Sequence, residues 1–273
     1  MKLMGIVNVT PDSFSDGGEF LDPERAIAHG RELAAEGADV LDVGGESTRP
    51  GAEAVPAEIE RERVAPVVAG LAGEDGAGVP VSIDTSKRAV AEAALDAGAE
   101  IVNDVTALRG DPELAGLCAE RDCGVILMHM LGDPRTMQEN PVYENVVADV
   151  KAFLAERIEF AVSAGVAEER IWVDPGIGFG KTVRQNLELL DQLAVLAELG
   201  RPIVVGSSRK SLIGKVSGAP VGRRVGGTIA SSVIAYVNGA AVLRVHDVRP
   251  MREALTVADA ILDPDRAASL TDR

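Results

Sequence analysis

Residues 79–104 read VPVSIDTSKRAVAEAALDAGAEIVND, and this stretch holds one full period of the pattern on which the chain is built. A β-branched apolar run, 79–84, stops at Asp84. Apolar residues three and four apart over 87–97 then predict a helix, and Gly98 stands where glycine tolerates a left-handed cap. A second apolar run, 101–104, stops at Asn103 and Asp104. This is strand, helix, strand, with polar residues gathered at the strand ends.

Working outward, such runs recur eight times, at 4–8, 40–44, 79–84, 101–104, 125–129, 171–174, 203–207 and 242–247. Helical periodicity fills spaces between them, at 26–36, 87–97, 145–164 and 183–199, and Gly37, Gly98, Gly165 and Gly200 stand at the expected helix ends. Polar chemistry at one end of eight strands is the signature of an α/β (β/α)8 TIM barrel, in which loops at the carboxyl ends of parallel strands converge on one active site. An open doubly wound sheet also alternates strand and helix, but it would concentrate ligand residues at a single switch point. A length of 273 residues with 46% hydrophobic content suits one barrel domain spanning 1–273.

The formal charge is -16, so the chain has no electrostatic footprint for nucleic acid, and an anionic substrate needs a local basic pocket. Cys118 and Cys123 match neither a zinc site nor a redox pair and read as buried thiols. No apolar stretch reaches the roughly 18 residues that span a bilayer, and a strand begins almost at Met1, so neither a membrane anchor nor a signal peptide is expected. A reducing, cytoplasmic setting is the expectation.

The first strand runs into NVTPDSFSDGG at 8–18, a long polar loop able to close over a ligand. The second delivers GGESTRPG at 44–51, where small residues let backbone approach a ligand and Arg49 offers a fork for phosphate; an ordinary turn is the plainer alternative. Asp84, Asn103, Asp104 and Asp174 end strands three, four and six, and together they could pair with the ring nitrogens and amines of a flat heterocycle. Any one of the Asp residues alone could merely cap a helix. Met128 and Phe179 stand where they could sandwich a ring, although core packing is the usual role of both types.

Residues 174–182, DPGIGFGKT, resemble a phosphate-binding P-loop but fail its pattern, which needs glycine where Pro175 stands. Thr182 is expected to cap the next helix, and Lys181 to face solvent. Strand seven ends in GSSRKS at 206–211 and strand eight in RVHD at 244–247, the usual phosphate corner of this fold. Arg244 and His246 alternate and so share one face, which favours an anion; His29 and His129 make weaker candidates.

Taken together, the segments NVTPDSFSDGG, GGESTRPG, SIDT at 82–85, VNDV at 102–105, LMH at 127–129, DPGIGF at 174–179, SRK at 208–210 and RVHD resemble the dihydropteroate synthases of bacterial folate synthesis across nearly the whole chain. The resemblance implies a transferase that condenses 6-hydroxymethyl-7,8-dihydropterin pyrophosphate with para-aminobenzoate, with magnesium near Asn8. It implies that Asp84, Asn103, Asp174 and Lys210 hold the pterin edge, that Met128 and Phe179 flank its faces, and that Arg244 bonds or stacks near ring and phosphates. Phe14, Asp16, Thr48, Arg49 and Pro50 would close over the site and form the para-aminobenzoate pocket, and Ser211 would meet the arylamine carboxylate. The implied catalytic set is Asp16, Arg49, Lys210, Arg244 and His246.

It further implies sulfonamide inhibition and a homodimer through helices late in the chain, for which 226–238 could supply a surface. Members of that family usually carry an extra segment before strand one, which is short here. Two rivals share the barrel: a pterin-dependent corrinoid methyltransferase, which has no use for Thr48, Arg49 and Pro50, and a silent pterin-binding paralogue, which tends to lose both loop motifs.

Overall fold

The computed structural model describes residues 1–10, 22–48, 51–133 and 136–265. In chain order its elements are β1 (Lys2–Asn8), α1 (Pro23–Ala35), β2 (Val40–Gly44), α2 (Ala57–Ala72), β3 (Val81–Asp84), α3 (Arg88–Asp96), β4 (Ile101–Asp104), α4 (Leu114–Glu120), β5 (Gly124–Met128) and α5 (Val146–Ser163). There follow β6 (Ile171–Asp174), α6 (Val183–Asp191), β7 (Val204–Val205), α7 (Ser211–Ser217), α8 (Val225–Val237), β8 (Val242–Val245) and α9 (Val248–Leu262).

The strands form one parallel sheet in the order β6-β5-β4-β3-β2-β1-β8-β7, and a parallel bridge between Val173 and Ile203 joins its two edges. The result is the eight-stranded barrel. Each strand is covered on both faces, which is why its residues are apolar almost without alternation. Met4, Val40, Ile101, Ile126, Val204 and Val242 pack together as one cluster against Trp172, plugging the barrel interior. Their neighbours Leu3, Leu41, Val102, Val125, Val205 and Leu243 point the other way, into the layer between barrel and helices.

Local signals place the helices. Asp22 caps α1 through the amides of Glu24 and Arg25, Asn145 caps α5, and Thr182 forms a capping box with Gln185 at α6, as expected. Gly37, Gly98, Gly165 and Gly200 all take positive φ at the helix ends.

Several boundaries differ from the sequence reading, three of them in ways that bear on the barrel. The helix expected over 183–199 is α6 followed by a 3-10 segment, Leu193–Leu199. Strand three starts at Val81 because Pro80 has no N–H to donate; its carbonyl instead accepts from Leu41. Strand seven shortens to Val204–Val205, and beyond it the Ser207 hydroxyl meets the Ser231 hydroxyl at 2.9 Å.

Candidate active site

At the carboxyl rim of the barrel, strand register sets polar side chains beside one another. Asn8 pairs with Gly44, Gly44 with Asp84, and Asp84 with Asn103, while Met128 pairs with Asp174. One layer below, and fully buried, lies Asp42 in the middle of β2. Arg244 reaches across from β8 and donates from Nε to Asp42 Oδ2 at 2.5 Å and from Nη2 to Asp84 Oδ2 at 2.8 Å. Asn103 Nδ2 donates to the same Asp42 oxygen at 3.0 Å. The other oxygen, Asp42 Oδ1, is buried with no hydrogen-bond partner. A buried acceptor left open is costly, and a bound donor would relieve it.

Two carboxyl groups thus face one guanidinium, Asp42 fully buried and Asp84 largely so. Burial pushes the Asp84 carboxyl up to about 7, even though Arg244 pulls it down, and Asp42 adds to the rise. Arg244 is raised by its two partners in spite of burial, so it stays charged. Burial also raises Asp174, against the pull of Lys210, and Asp174 Oδ1 accepts the Gly176 amide at 2.6 Å.

Lys210 enters from the turn between β7 and α7. Its ammonium lies 4.4 Å from the centre of the Phe179 ring and donates to the Ile177 carbonyl. Burial lowers it to about 8, with Asp174 opposing that shift. The residue before it, Arg209, holds a non-glycine positive φ of 56°. It is fixed there by a bidentate pair with Asp247, at 2.9 and 2.5 Å, and by its amide to Thr228 Oγ1 at 3.0 Å. His246 is held through Nδ1 by Ser208 Oγ at 3.0 Å, and its amide donates to the same hydroxyl at 3.2 Å. Arg244 therefore points to the carboxylates and His246 to the serine.

Met128 sits in a small apolar cluster with Val105, Met130 and Met137, and Phe179 packs against it. Asp104 proves local: it accepts from Thr106 and from the Leu108 amide at 2.7 Å, stabilising the turn after β4. Ser211 is the exposed first residue of α7, and Thr48 is half-buried at the rim. Phe14, Asp16, Arg49 and Pro50 lie outside the described residues.

Lys181 corrects the sequence reading. It is 3% exposed rather than solvated. Its Nζ donates to the carbonyls of Gly176 and Phe179, both at 2.9 Å, and meets His129 Nδ1 at 2.8 Å. Burial drives both Lys181 and His129 toward their neutral forms. Gly176, at φ 67°, lies so close that a Cβ would come within 1.9 Å of the His129 carbonyl. The end of β5 and the loop after β6 are thereby clamped beneath Phe179.

Asp42 and Lys181 were both missed as functional residues. Asp42 had one usable signal, a charge within an apolar strand, which must find a partner when buried.

The model of a family described as pterin binding enzyme matches residues 4–246. A dihydropteroate synthase of Neisseria meningitidis serogroup B is 46% identical over 266 residues, covering 95% of this chain and 92% of its own length. The structure of Xanthomonas albilineans dihydropteroate synthase with 4-aminobenzoic acid is similar at a TM-score of 0.90 and 49% identity, over 96% of this chain and 93% of that one. The Yersinia pestis dihydropteroate synthase in a sulfonamide drug complex gives a TM-score of 0.90 at 42% identity, over 95% and 94% of the two chains.

Proposed function

The chain belongs to the family of pterin-binding enzymes and has the activity of a dihydropteroate synthase; we propose that the barrel rim described above performs that condensation with the following division of labour. The reaction joins 6-hydroxymethyl-7,8-dihydropterin pyrophosphate to para-aminobenzoate and releases pyrophosphate. The observation that carries the assignment of the pterin subsite is the unpartnered, buried Asp42 Oδ1 beside Asp84 and Asn103. A pterin edge presents ring and exocyclic N–H groups in one plane, which is what such an array of acceptors requires.

In this reading Asp42, Asp84, Asn103 and Asp174 orient the pterin, with Phe179 and Met128 against its faces and Lys210 donating to its edge. Arg244 is tied to two carboxylates, so its first task is to keep the acceptors in place; its cationic field also favours the departing pyrophosphate, together with Arg49 and His246. As the carbon–oxygen bond to pyrophosphate breaks, the pterin methylene becomes cation-like. The arylamine nitrogen, already unprotonated at neutral pH, attacks it and then loses a proton, so no strong general base is needed. Phe14, Asp16, Thr48, Arg49 and Pro50 exclude water from the cation and shape the arylamine pocket, and Ser211 meets the carboxylate.

Asn8 fits a magnesium ion of the kind that would take most of its ligands from substrate and water. Among the described residues no cluster of three His, Cys, Asp or Glu could hold a metal by itself. An ion bound chiefly by pyrophosphate needs only one or two protein oxygens, and Asn8 offers one at the end of β1. When bound, it would neutralise charge on the leaving group.

The reading extends to one domain over the whole chain, working in the cytoplasm, where the buried free thiols of Cys118 and Cys123 suit a reducing setting. It also includes a homodimer. The helices α8 and α9, joined by Tyr236 to Asp259, present Ile234, Val237, Val257, Ile261 and Leu262, each more than half exposed. A monomeric mass at micromolar concentration would remove the dimer from this reading.

The deciding experiment is pyrophosphate release from the purified chain with the pterin pyrophosphate and magnesium, with and without para-aminobenzoate. Release with dihydropteroate formation only when the arylamine is present supports the division of labour. Tight pterin binding without release would indicate a silent paralogue.

A further inference from the structure

We propose that Lys87 is a positioning residue for the arylamine step, tying the loop that carries Thr48 to the strand end that carries Asp84. This rests on the reading that the loop after β2 forms the para-aminobenzoate pocket.

Lys87 lies three residues beyond Asp84, and its Nζ donates to two carboxylates from different elements, Glu46 in the loop after β2 and Glu60 in α2. Glu60 is 1% exposed. Burial of that kind is tolerated only because a cation meets it, and Lys87 opposes the rise in the Glu60 carboxyl that burial causes. Glu46 Oε2 is also the acceptor for the Val55 amide at 3.3 Å, so one carboxylate grips both ends of the segment that contains Thr48. The base of the loop is fixed as well. Arg63 Nη1 donates to the Gly45 carbonyl at 2.9 Å, and a Cβ on Gly45 would come within 2.7 Å of Val64 and 3.0 Å of Glu60.

On the other side, the Lys87 amide donates to Thr85 Oγ1 at 3.3 Å and the Thr85 amide to the Asn103 carbonyl at 3.0 Å, which ties the lysine to the pterin strands. A cavity of ≈ 100 Å³ continues between the two halves, lined by Glu46, Thr48, Asp84, Lys87 and Thr106. An ion cluster of this type adds little net stability over an apolar replacement; what it adds is one defined geometry. That geometry sets the distance from Thr48 to the pterin site.

The test uses the full chain with both substrates and magnesium, comparing Lys87→Met, Lys87→Arg and Glu46→Gln with wild type. Readouts are kcat, KM for para-aminobenzoate, pterin affinity by calorimetry, and Tm. We expect Lys87→Met and Glu46→Gln to raise KM for para-aminobenzoate by about tenfold while pterin affinity stays within about twofold, because a small misplacement of a positioning loop weakens the step that it orients. Lys87→Arg, which keeps the charge, should recover most of the loss. A KM within about twofold of wild type in the folded variants overturns the proposal, as does an equal loss in both substrates, which would mark general loosening. If Lys87→Met does not fold, Glu46→Gln alone decides by the same criteria. A wild-type chain that is not saturated by para-aminobenzoate would instead overturn the underlying reading of the pocket.

Discussion

Arg244 Nε and Asp42 Oδ2 lie 2.5 Å apart across 202 residues of sequence, the last strand of the barrel gripping the second. The same guanidinium holds Asp84. Removing it by Arg244→Met leaves the fully buried Asp42 carboxylate without its cation and Asp84 without its donor, so we expect a loss of about 3–5 kcal/mol in denaturant unfolding, and no pterin binding by calorimetry. Asp42→Asn keeps the shape and leaves Arg244 paired with Asp84, so its stability loss should be smaller while its pterin affinity also falls. Equal stability in Arg244→Met and wild type would show that the pair is not what organises the floor.

Asp84 gives a stability test with a definite sign. Its carboxyl ionises near 3.8 when unfolded but is held protonated to about 7 in the fold, mainly by burial. The folded chain therefore binds the extra proton between those values, and this group's contribution to stability falls as pH rises from about 4 to about 7. Asp84→Asn should remove that slope and raise Tm at pH about 8, by about 2–4 °C per kcal/mol relieved, while weakening pterin binding about 10- to 100-fold. Melting curves at several pH values check the first part, and calorimetry the second.

Lys210 predicts a pH limit on substrate binding. It is lowered to about 8 by burial, so it is charged at neutral pH and discharges as pH rises above that value. Affinity for the pterin pyrophosphate should fall by up to about tenfold between pH about 7 and about 9, and Lys210→Arg should flatten this inflection even if its absolute affinity is lower. An unchanged profile in the arginine variant would assign the inflection to another group.

Lys181 should behave as a clamp. Lys181→Met leaves the Gly176 and Phe179 carbonyls without their donor in a buried place, and we expect a loss of about 1–3 kcal/mol. Because the loop that it holds carries Phe179, KM for the pterin substrate should rise more than KM for para-aminobenzoate. Steady-state kinetics with each substrate varied in turn distinguishes this from a uniform loss.

Sulfonamides should compete with para-aminobenzoate and not with the pterin substrate. Normal turnover without inhibition at saturating drug would place the arylamine away from the pocket assigned to Thr48 and Ser211.

Much of this protein was legible in the one-dimensional pattern. Residues 79–104 already held strand, helix, glycine cap and polar strand end, and the structure places them as β3, α3, Gly98 and β4 within two residues at each boundary. Periodicity, caps and strand ends are local consequences of backbone geometry, so they survive being read one residue after another. Asp84, Asn103 and Asp174 could be singled out because polar residues at the ends of apolar runs mark the rim of a barrel, and Arg244 because it alternates with His246 at the last strand, whereas Lys210 follows from the family resemblance.

What the order of residues could not decide is who meets whom. Asp104 and Asp174 look alike at strand ends, yet one satisfies its own turn while the other lies beside Lys210 and accepts a single loop amide. Lys181 reads as a solvated lysine next to glycines, but its own loop folds back to offer the Gly176 and Phe179 carbonyls, and the packing of that loop onto the end of β5 adds His129. Asp42 is a single charge in an apolar strand until β8 brings Arg244 across the barrel. The sequence by itself determined the elements and the end at which their chemistry collects, because those depend on interactions between near neighbours. The tertiary structure decided the charge states and the pairings, because desolvation and Coulomb contact depend on distance in space, and the barrel's closure sets that distance.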